Sequence, residues 1–508
     1  MKKRRISIVA AIVAICTMFC GVGCGEQTAK TPPDYSQSTG FSFEYWGSGP
    51  TDGIVRTDGN VAQGKDYRTK EQFQIFKDAG FTILHMGSNV RPDLAKDRED
   101  FLAQHGEVLA AANEVGFNQI VISDWRLATT DIAKREGGLI GKDKPFANEA
   151  ELDAHVANCI AMYKDIPGIN AFNIGDEPGW NQLESFGQLY QSIGRVWPEA
   201  ERFYNFFPLG LNTSFELTIG PVVQKEGQTR NEAAIEQYEN YLNTALDYMG
   251  EVTYLRFDAY PLRANSVLVE YIPALQVAAK ICKQRGIELQ IYTQSCEMLS
   301  MGNAEIRKVD ARGAQWLNNT ILGFGARAIG YFTYVTNASS NSSGETFIDG
   351  SSFLTHKHKK TELYDIMQKI MADNQKFANV LFNFSYCGSR TYISDEPSKY
   401  GTMHAGLADN SHVLKRIEDL KIDKGCTLVT ELYDPENRHF MYMVMNLLDP
   451  VAKGSPAYQT TTVTFSEQFT HVLTYKNNSA VPVIQELDKN HQLVIEQTAG
   501  EAMFVIPY

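Results

Sequence analysis

The residues best suited to chemistry are carboxylates and tryptophans that recur where apolar, strand-like runs end. The sharpest case is Asn173-Ile174-Gly175-Asp176-Glu177-Pro178. Glu177 follows a largely apolar stretch and precedes a proline that ends it, so its carboxyl sits at a strand tip. Burial in a pocket there raises a carboxyl toward the range of a general acid. The same position also suits an acid that complements the dipole of the following helix, and the run alone supports both readings. Other strand-like runs carry Glu44 and Trp46, Asp124 and Trp125, Arg256, Asp258 and Tyr260, and Gln294 followed by Glu297. Two carboxyls facing across a cleft make the acid–base pair of glycosidic-bond hydrolysis. The flat faces of Trp46, Trp125 and Trp180 are surfaces on which sugar rings stack; ordinary packing is the alternative for each, and is expected for at least one.

The elements that must position these groups follow from periodicity. Apolar runs at 41–46, 81–86, 119–125, 169–174, 202–207, 252–260, 288–293 and 328–335 read as strands. Between them lie helical stretches with recognisable ends. Thr69 and Gln72 look like a capping box before Phe73 and Phe76, with a stop at Gly80. Asn148 can cap a helix that buries Leu152, Val156, Cys159, Ile160 and Tyr163, and Leu183, Phe186, Leu189, Tyr190 and Ile193 repeat in the same way before Pro198. Eight strand–helix units over about 300 residues have the number and size of a TIM (β/α)8 barrel. A doubly wound open sheet is disfavoured, because no strand–helix junction carries a Gly-rich phosphate loop. In such a barrel the reacting groups sit at the C-terminal ends of the strands. In 254–260 the polar residues Tyr254, Arg256, Asp258 and Tyr260 share one strand face. Polar groups facing a core are costly and mark a site, unless Arg256 and Asp258 pair internally. Tyr292 is a further rim aromatic by the same reasoning, with packing as its alternative.

At this point the residues resemble a known group. Phe172-Asn173-Ile174-Gly175-Asp176-Glu177-Pro178 is similar to the Asn-Glu-Pro signature of the clan A glycoside hydrolases, retaining enzymes on (β/α)8 barrels whose larger members include barrel β-galactosidases. The resemblance covers roughly residues 41–380. It implies that Glu177 is the acid/base and that a nucleophile lies near 290–298, which makes Glu297 its candidate. Two departures stand out. The clan's Asn before the acid/base is Asp176 here, which when ionised accepts a hydrogen bond but donates none. Strand seven is tipped by Gln294 and not by Glu. Asp258 or Glu345 is then the alternative second carboxylate. A retaining pair stands about 5–5.5 Å apart and an inverting pair about 6.5–9.5 Å.

After residue 335 the composition changes. A polar loop spans 336–352 and a helix is expected around 361–379. From about 385 short strands separated by turns take over, including a hairpin of 426–433 and 439–447 around Asp434-Pro435-Glu436-Asn437. The expected organisation is a signal peptide at 1–23, a flexible tether at 24–40, a barrel domain at 41–380 and a C-terminal β-sandwich domain at 381–508.

Lys2, Lys3, Arg4 and Arg5 precede an apolar run of signal-peptide length. The run ends in Gly21-Val22-Gly23-Cys24, which resembles a bacterial lipobox with Cys24 as the lipidated residue; an ordinary cleaved signal peptide is the alternative. Either reading exports the chain to the cell surface or periplasm. Losing the four basic residues takes the formal charge from -13 to -17, and so acidic a surface disfavours nucleic acid and polyanionic substrates. Cys159, Cys282, Cys296, Cys387 and Cys426 are odd in number and lack a CxxC, so neither a disulfide framework nor a zinc site is expected. No HExxH is present, and no metal or cofactor is expected. The expected function is hydrolysis of a neutral oligo- or polysaccharide by two carboxylates, with retention. The alternative is a catalytically inactive, glycan-binding surface lipoprotein.

Overall fold

The computed structural model describes residues 35, 40–46, 50, 55–57, 60–62, 65–87, 89–299, 306–336, 346–395, 407–451 and 458–508. The export signal, Cys24, most of the tether and Glu345 lie outside these residues. Among the described residues the chain is mixed α/β, and eight parallel strands alternate with eight longer helices. The order is β1 (Ser42–Tyr45), α1 (Lys70–Asp78), β2 (Leu84–His85), α2 (Arg98–Val115), β3 (Ile120–Ile122), α3 (Glu149–Ile160), β4 (Ile169–Asp176), α4 (Leu183–Val196), β5 (Glu201–Asn205), α5 (Arg230–Met249), β6 (Tyr254–Ala259), α6 (Tyr271–Arg285), β7 (Glu288–Gln294), α7 (Ala311–Gly323), β8 (Ala328–Phe332) and α8 (Glu362–Leu381).

Local chemistry explains the helix ends. Thr69 caps α1 by accepting from the Gln72 N–H, Asn148 caps α3 from the Glu151 N–H, and Thr229 and Glu232 form a reciprocal capping box at α5. Helix α6 stops at Gly286, whose φ of 68° a β-carbon would disfavour. The apolar faces read from the sequence are the buried ones: Phe73 and Phe76 on α1, and Leu183, Phe186, Leu189, Tyr190 and Ile193 on α4.

All eight strands pair in parallel, but in two four-stranded sheets, β2-β3-β4-β5 and β1-β8-β7-β6. The single closed ladder expected from eight repeats is therefore found as two half-sheets. They meet at two seams. Beyond β5, Phe206 bridges to Phe257 of β6, with Phe206 N–H donating to the Arg256 carbonyl at 3.1 Å. On the other side the N–H groups of Thr82 and Ile83 both donate to the Phe43 carbonyl of β1, at 2.9 and 3.2 Å. Because every strand runs the same way, their C-terminal ends share one rim.

The C-terminal region is antiparallel β. A six-stranded sheet has the order β9 (Ser385–Ile393), β11 (Cys426–Asp434), β12 (His439–Asn446), β17 (Ala502–Pro507), β14 (His471–Lys476) and β15 (Val483–Glu486). Its partner is the three-stranded sheet of β10 (Ile417–Ile422), β13 (Gln459–Phe465) and β16 (Gln492–Gln497). The expected hairpin is β11–β12, closing at Asp434 opposite His439. Strand period sorts β12 cleanly. Met441, Met443 and Met445 face the core shared with the helices, while Phe440, Tyr442 and Val444 face the core between the two sheets. The contact with the α/β part is specific as well as apolar: Arg307 pairs with Asp449 at 2.8 Å and Trp316 donates to the Leu447 carbonyl at 3.3 Å.

Candidate active site

Strand β4 delivers the central residue. Its pairing with β5 is irregular between Asn173 and Gly175, a bulge that re-aims the end of the strand. Glu177 comes next with φ of +48°, a left-handed conformation that costs a non-glycine residue of order 1 kcal/mol or more. Two contacts hold it there. Its own N–H donates to the Asn205 carbonyl at 2.8 Å, and the Tyr241 hydroxyl from α5 donates to the Pro178 carbonyl at 2.6 Å. Strained backbone fixed from both sides is a mark of functional sites.

Around Glu177 lies a row of polar side chains drawn from three adjacent strand ends. Asp176 ends β4, Asn205 ends β5 opposite it, and Asp258 lies near the end of β6. The Asn205 amide donates to Asp176 Oδ1 at 3.0 Å. Asn205 and Asp258 are 2% and 4% exposed, and Oδ1 of each lacks a hydrogen-bond partner among the described residues. Burial first, and then the charge of Asp176, push the Asp258 carboxyl up to about 7, against hydrogen bonds from Tyr260 and Asn205. Burial also raises Asp176, opposed by the Asn205 amide and the charge of Lys134. The hydroxyls of Tyr241 and Tyr260 are pushed up by burial and by the charges of Glu177, Asp176 and Asp258. Three carboxyls and two phenols thus share one electrostatic neighbourhood.

Beneath this row lies a buried ionic floor. Glu44 Oε1 pairs with Arg256 Nη2 at 2.6 Å, and Glu44 Oε2 lies 2.9 Å from His85 Nε2. Burial pushes the Glu44 carboxyl up, but the Arg256 charge and the His85 hydrogen bond outweigh it and hold it below its usual range. The guanidinium also bonds the Gln290 side chain and lies among the rings of Phe203, Tyr254 and Tyr292, at 4.5, 4.8 and 5.3 Å. Tyr292 fits because Gly330 faces it: a β-carbon there would fall 1.9 Å from the ring. Trp46 closes the floor, its ring 5.3 Å from Tyr292 and 6.1 Å from His85.

The sequence-derived site residues therefore separate into groups. Asp176, Glu177, Asp258 and Tyr260 come together at the rim, with the Tyr260 ring stacked on Phe332 at 5.2 Å. Glu44, Trp46, Arg256 and Tyr292 come together below them, mostly satisfied by one another; the internal partner of Arg256 is Glu44, not Asp258. Asp124 turns the other way. It is fully buried and holds Arg126 through bonds of 2.9 and 2.5 Å, with the Tyr163 hydroxyl at 3.3 Å, bracing the strand end against α3. Gln294 spends its side-chain amide on the Leu262 N–H and on the carbonyls of Leu262 and Arg307. Trp125 is 49% exposed with the Arg91 guanidinium 3.9 Å over its ring. Trp180 is partly buried against Gly220, where an added β-carbon would lie 2.8 Å from its ring.

Glu297 stands in a different setting. Its N–H donates to Ser351 Oγ at 2.9 Å and its carbonyl accepts from Ile348 at 3.2 Å, which ties it to the segment after β8. It is not among the charges that act most strongly on Asp176, Asp258, Tyr241 or Tyr260. Sequence reasoning missed His85, Asn205 and Tyr241. The first two are lone polar residues within apolar runs and were detectable on that ground; nothing in helix α5 distinguishes Tyr241. Among the described residues, no group of three or more His, Cys, Asp or Glu is placed to hold a metal ion.

No family model and no curated protein matches the chain. Solved structures similar to it include xylanase 10B from Thermotoga maritima, at 10% identity and a TM-score of 0.39, covering 66% of this chain and 96% of that one. A glycoside hydrolase family 44 xyloglucanase from Paenibacillus polymyxa matches at 8% identity and 0.35, covering 85% and 94%. A monomeric β-xylosidase from Caulobacter crescentus CB15 matches at 10% identity and 0.38, covering 92% and 96%.

Proposed function

We propose that the chain is a glycoside hydrolase acting on a neutral oligo- or polysaccharide, with Glu177 as the proton donor to the leaving glycosidic oxygen. On this reading the two half-sheets are the halves of a (β/α)8 barrel and the shared rim is the substrate mouth. The observation that carries the reading is the clamped, left-handed Glu177 at the tip of β4 beside Asp176, Asp258 and the phenols of Tyr241 and Tyr260. That company of titratable groups at a strand tip supports a role in proton transfer over the capping of a helix. Trp125 and its stacked arginine supply an exposed aromatic platform at the same rim, suited to a more distant sugar ring.

Asp124 and Gln294, expected as substrate contacts, are braces on this reading. The retaining reaction implied by the clan resemblance takes Glu297 as nucleophile. Asp258 is the competing second carboxyl, favoured by its place in the electrostatic neighbourhood of Glu177. A second function, glycan binding without hydrolysis, is favoured by one observation only: the strand-seven tip is an amide already consumed by backbone groups. The two functions part on one experiment. If the chain is a hydrolase, the wild type releases reducing ends from a panel of neutral glycans, and Glu177→Gln abolishes release while retaining binding. Binding without release by the wild type selects the second reading.

The location proposed is the bacterial cell surface or periplasm, with a lipid anchor at Cys24. Incorporation of labelled fatty acid that is lost in Cys24→Ala tests the anchor, and its absence in the wild type leaves simple export.

A further inference from the structure

Asp176, Asn205 and Asp258 form a row that the catalytic role of Glu177 does not by itself require. Strand register builds the row: Asp176 lies opposite Asn205 in the β4–β5 pairing, and the Phe206–Phe257 bridge carries the line on to β6. The central amide is buried and donates to Asp176, and Oδ1 of Asn205 and Oδ1 of Asp258 have no partner among the described residues. Polar atoms buried in this way cost of order 1–3 kcal/mol each when unpaired. Their persistence at a strand-end rim is what a bound donor, water or sugar hydroxyl, explains.

Resting on the glycoside hydrolase reading, we propose that Asp176 and Asp258 hold one proton in common across Asn205, and that this pair, not Glu297, activates the water that displaces the leaving group. Two carboxyls in one desolvated site do not both ionise near neutral pH; sharing a proton leaves one charge to act as a base. The groups facing the pair permit it. From β4 comes Glu177, from β5 the neutral Asn205, and from β6 the phenol of Tyr260. Helix α5 contributes the phenols of Tyr238 and Tyr241, and β7 places Tyr292 opposite Asp258 in register. Lys134 acts on Asp176, and Arg256 below is engaged with Glu44. No cation is paired directly with Asp258 among the described residues. Burial and the Asp176 charge that push Asp258 up to about 7 act in the same direction.

The reaction then balances as a single displacement. The ionised oxygen of the pair takes a proton from water as that water's oxygen bonds to the anomeric carbon. The glycosidic C–O bond breaks, and the leaving oxygen takes the proton of Glu177. One water is consumed, the anomeric configuration inverts, and the proton gained by the pair returns to Glu177 through solvent.

A titration followed by carbon NMR, on intact protein carrying 13C in the aspartate side-chain carboxyls, tests the shared proton without any substrate. The expected result is an aspartate resonance titrating near pH 7 in the wild type. It should be absent in the isosteric variant Asp258→Asn and move about one pH unit or more lower in Asp176→Asn, where the like charge is gone. An Asp258 carboxyl that titrates in the ordinary range near 4, or one indifferent to Asp176→Asn, overturns the shared proton. The anomer of the first-formed product, read by proton NMR, tests the use made of the pair: inversion supports it, and retention returns the role to Glu297. Absence of cleavage on every glycan, with the titration as expected, overturns the hydrolase reading and the water step but supports the shared proton.

Discussion

Replacing Asp258 with Asn keeps the shape of the side chain and removes a carboxyl that the fold holds in its neutral form. Burial and the Asp176 charge push that carboxyl up to about 7, against about 3.9 for an unperturbed aspartate. Native protein therefore keeps a proton between roughly pH 4 and 7 that the unfolded chain has released. The stabilising effect of that proton is fully present below pH 4, fades as pH rises through 7, and is gone above it. Three pH units at about 1.36 kcal/mol each set an upper bound of about 4 kcal/mol on this loss; part of it belongs to Asp176, which carries the same proton. Asp258→Asn escapes the loss, because an amide does not ionise. Guanidinium unfolding from pH 4.5 to 8.5 should show the variant gaining on the wild type as pH rises, by a few kcal/mol at pH 8.5 relative to pH 4.5. A stability difference that stays flat across that range refutes the reasoning, because it means the buried carboxyl is not preferentially protonated in the native state.

Other expectations rest on the same geometry. Glu44→Gln leaves the buried Arg256 without its counter-charge and should lower stability by about 3–5 kcal/mol in denaturant unfolding; a loss under 1 kcal/mol shows the floor is not a tight pair. Tyr241→Phe removes the hydroxyl that holds the Pro178 carbonyl and should cut kcat roughly tenfold with KM little changed, as measured in steady-state assays on a cleaved glycan. Trp125→Ala should weaken binding of longer glycans by about 1 kcal/mol or more in calorimetry and leave Tm nearly unchanged, since the residue is half exposed.

Much of the fold was legible because it rests on local rules. Thr69, Asn148 and the apolar faces of α1, α3 and α4 obey capping and period, and the Asp434–His439 hairpin obeys turn chemistry. Division of the strands into two sheets was not legible, because it depends on seams such as Phe206–Phe257 that involve single residues far apart in sequence. The site was legible in part for a related reason. Position at a strand end can be read from sequence, but side-chain direction cannot. Asp124 points to α3 and Arg126, while Asp176 is re-aimed by the bulge in β4. Glu44 and Arg256 were visible as polar residues on inward faces, yet their pairing with each other and with His85 is a tertiary fact. Asn205 shows the cost of reading charge alone: an uncharged residue links two carboxylates and escapes notice.

Proton transfer from Glu177 to a glycosidic oxygen is tested most directly by comparing glycoside cleavage by wild type and Glu177→Gln. The comparison uses a substrate with a poor leaving group, which needs the proton, and an activated aryl glycoside, which does not. Cleavage by Glu177→Gln should fall by about two to four orders of magnitude on the first and much less on the second. Equal activity of the two proteins on the poor leaving group would contradict proton transfer from Glu177.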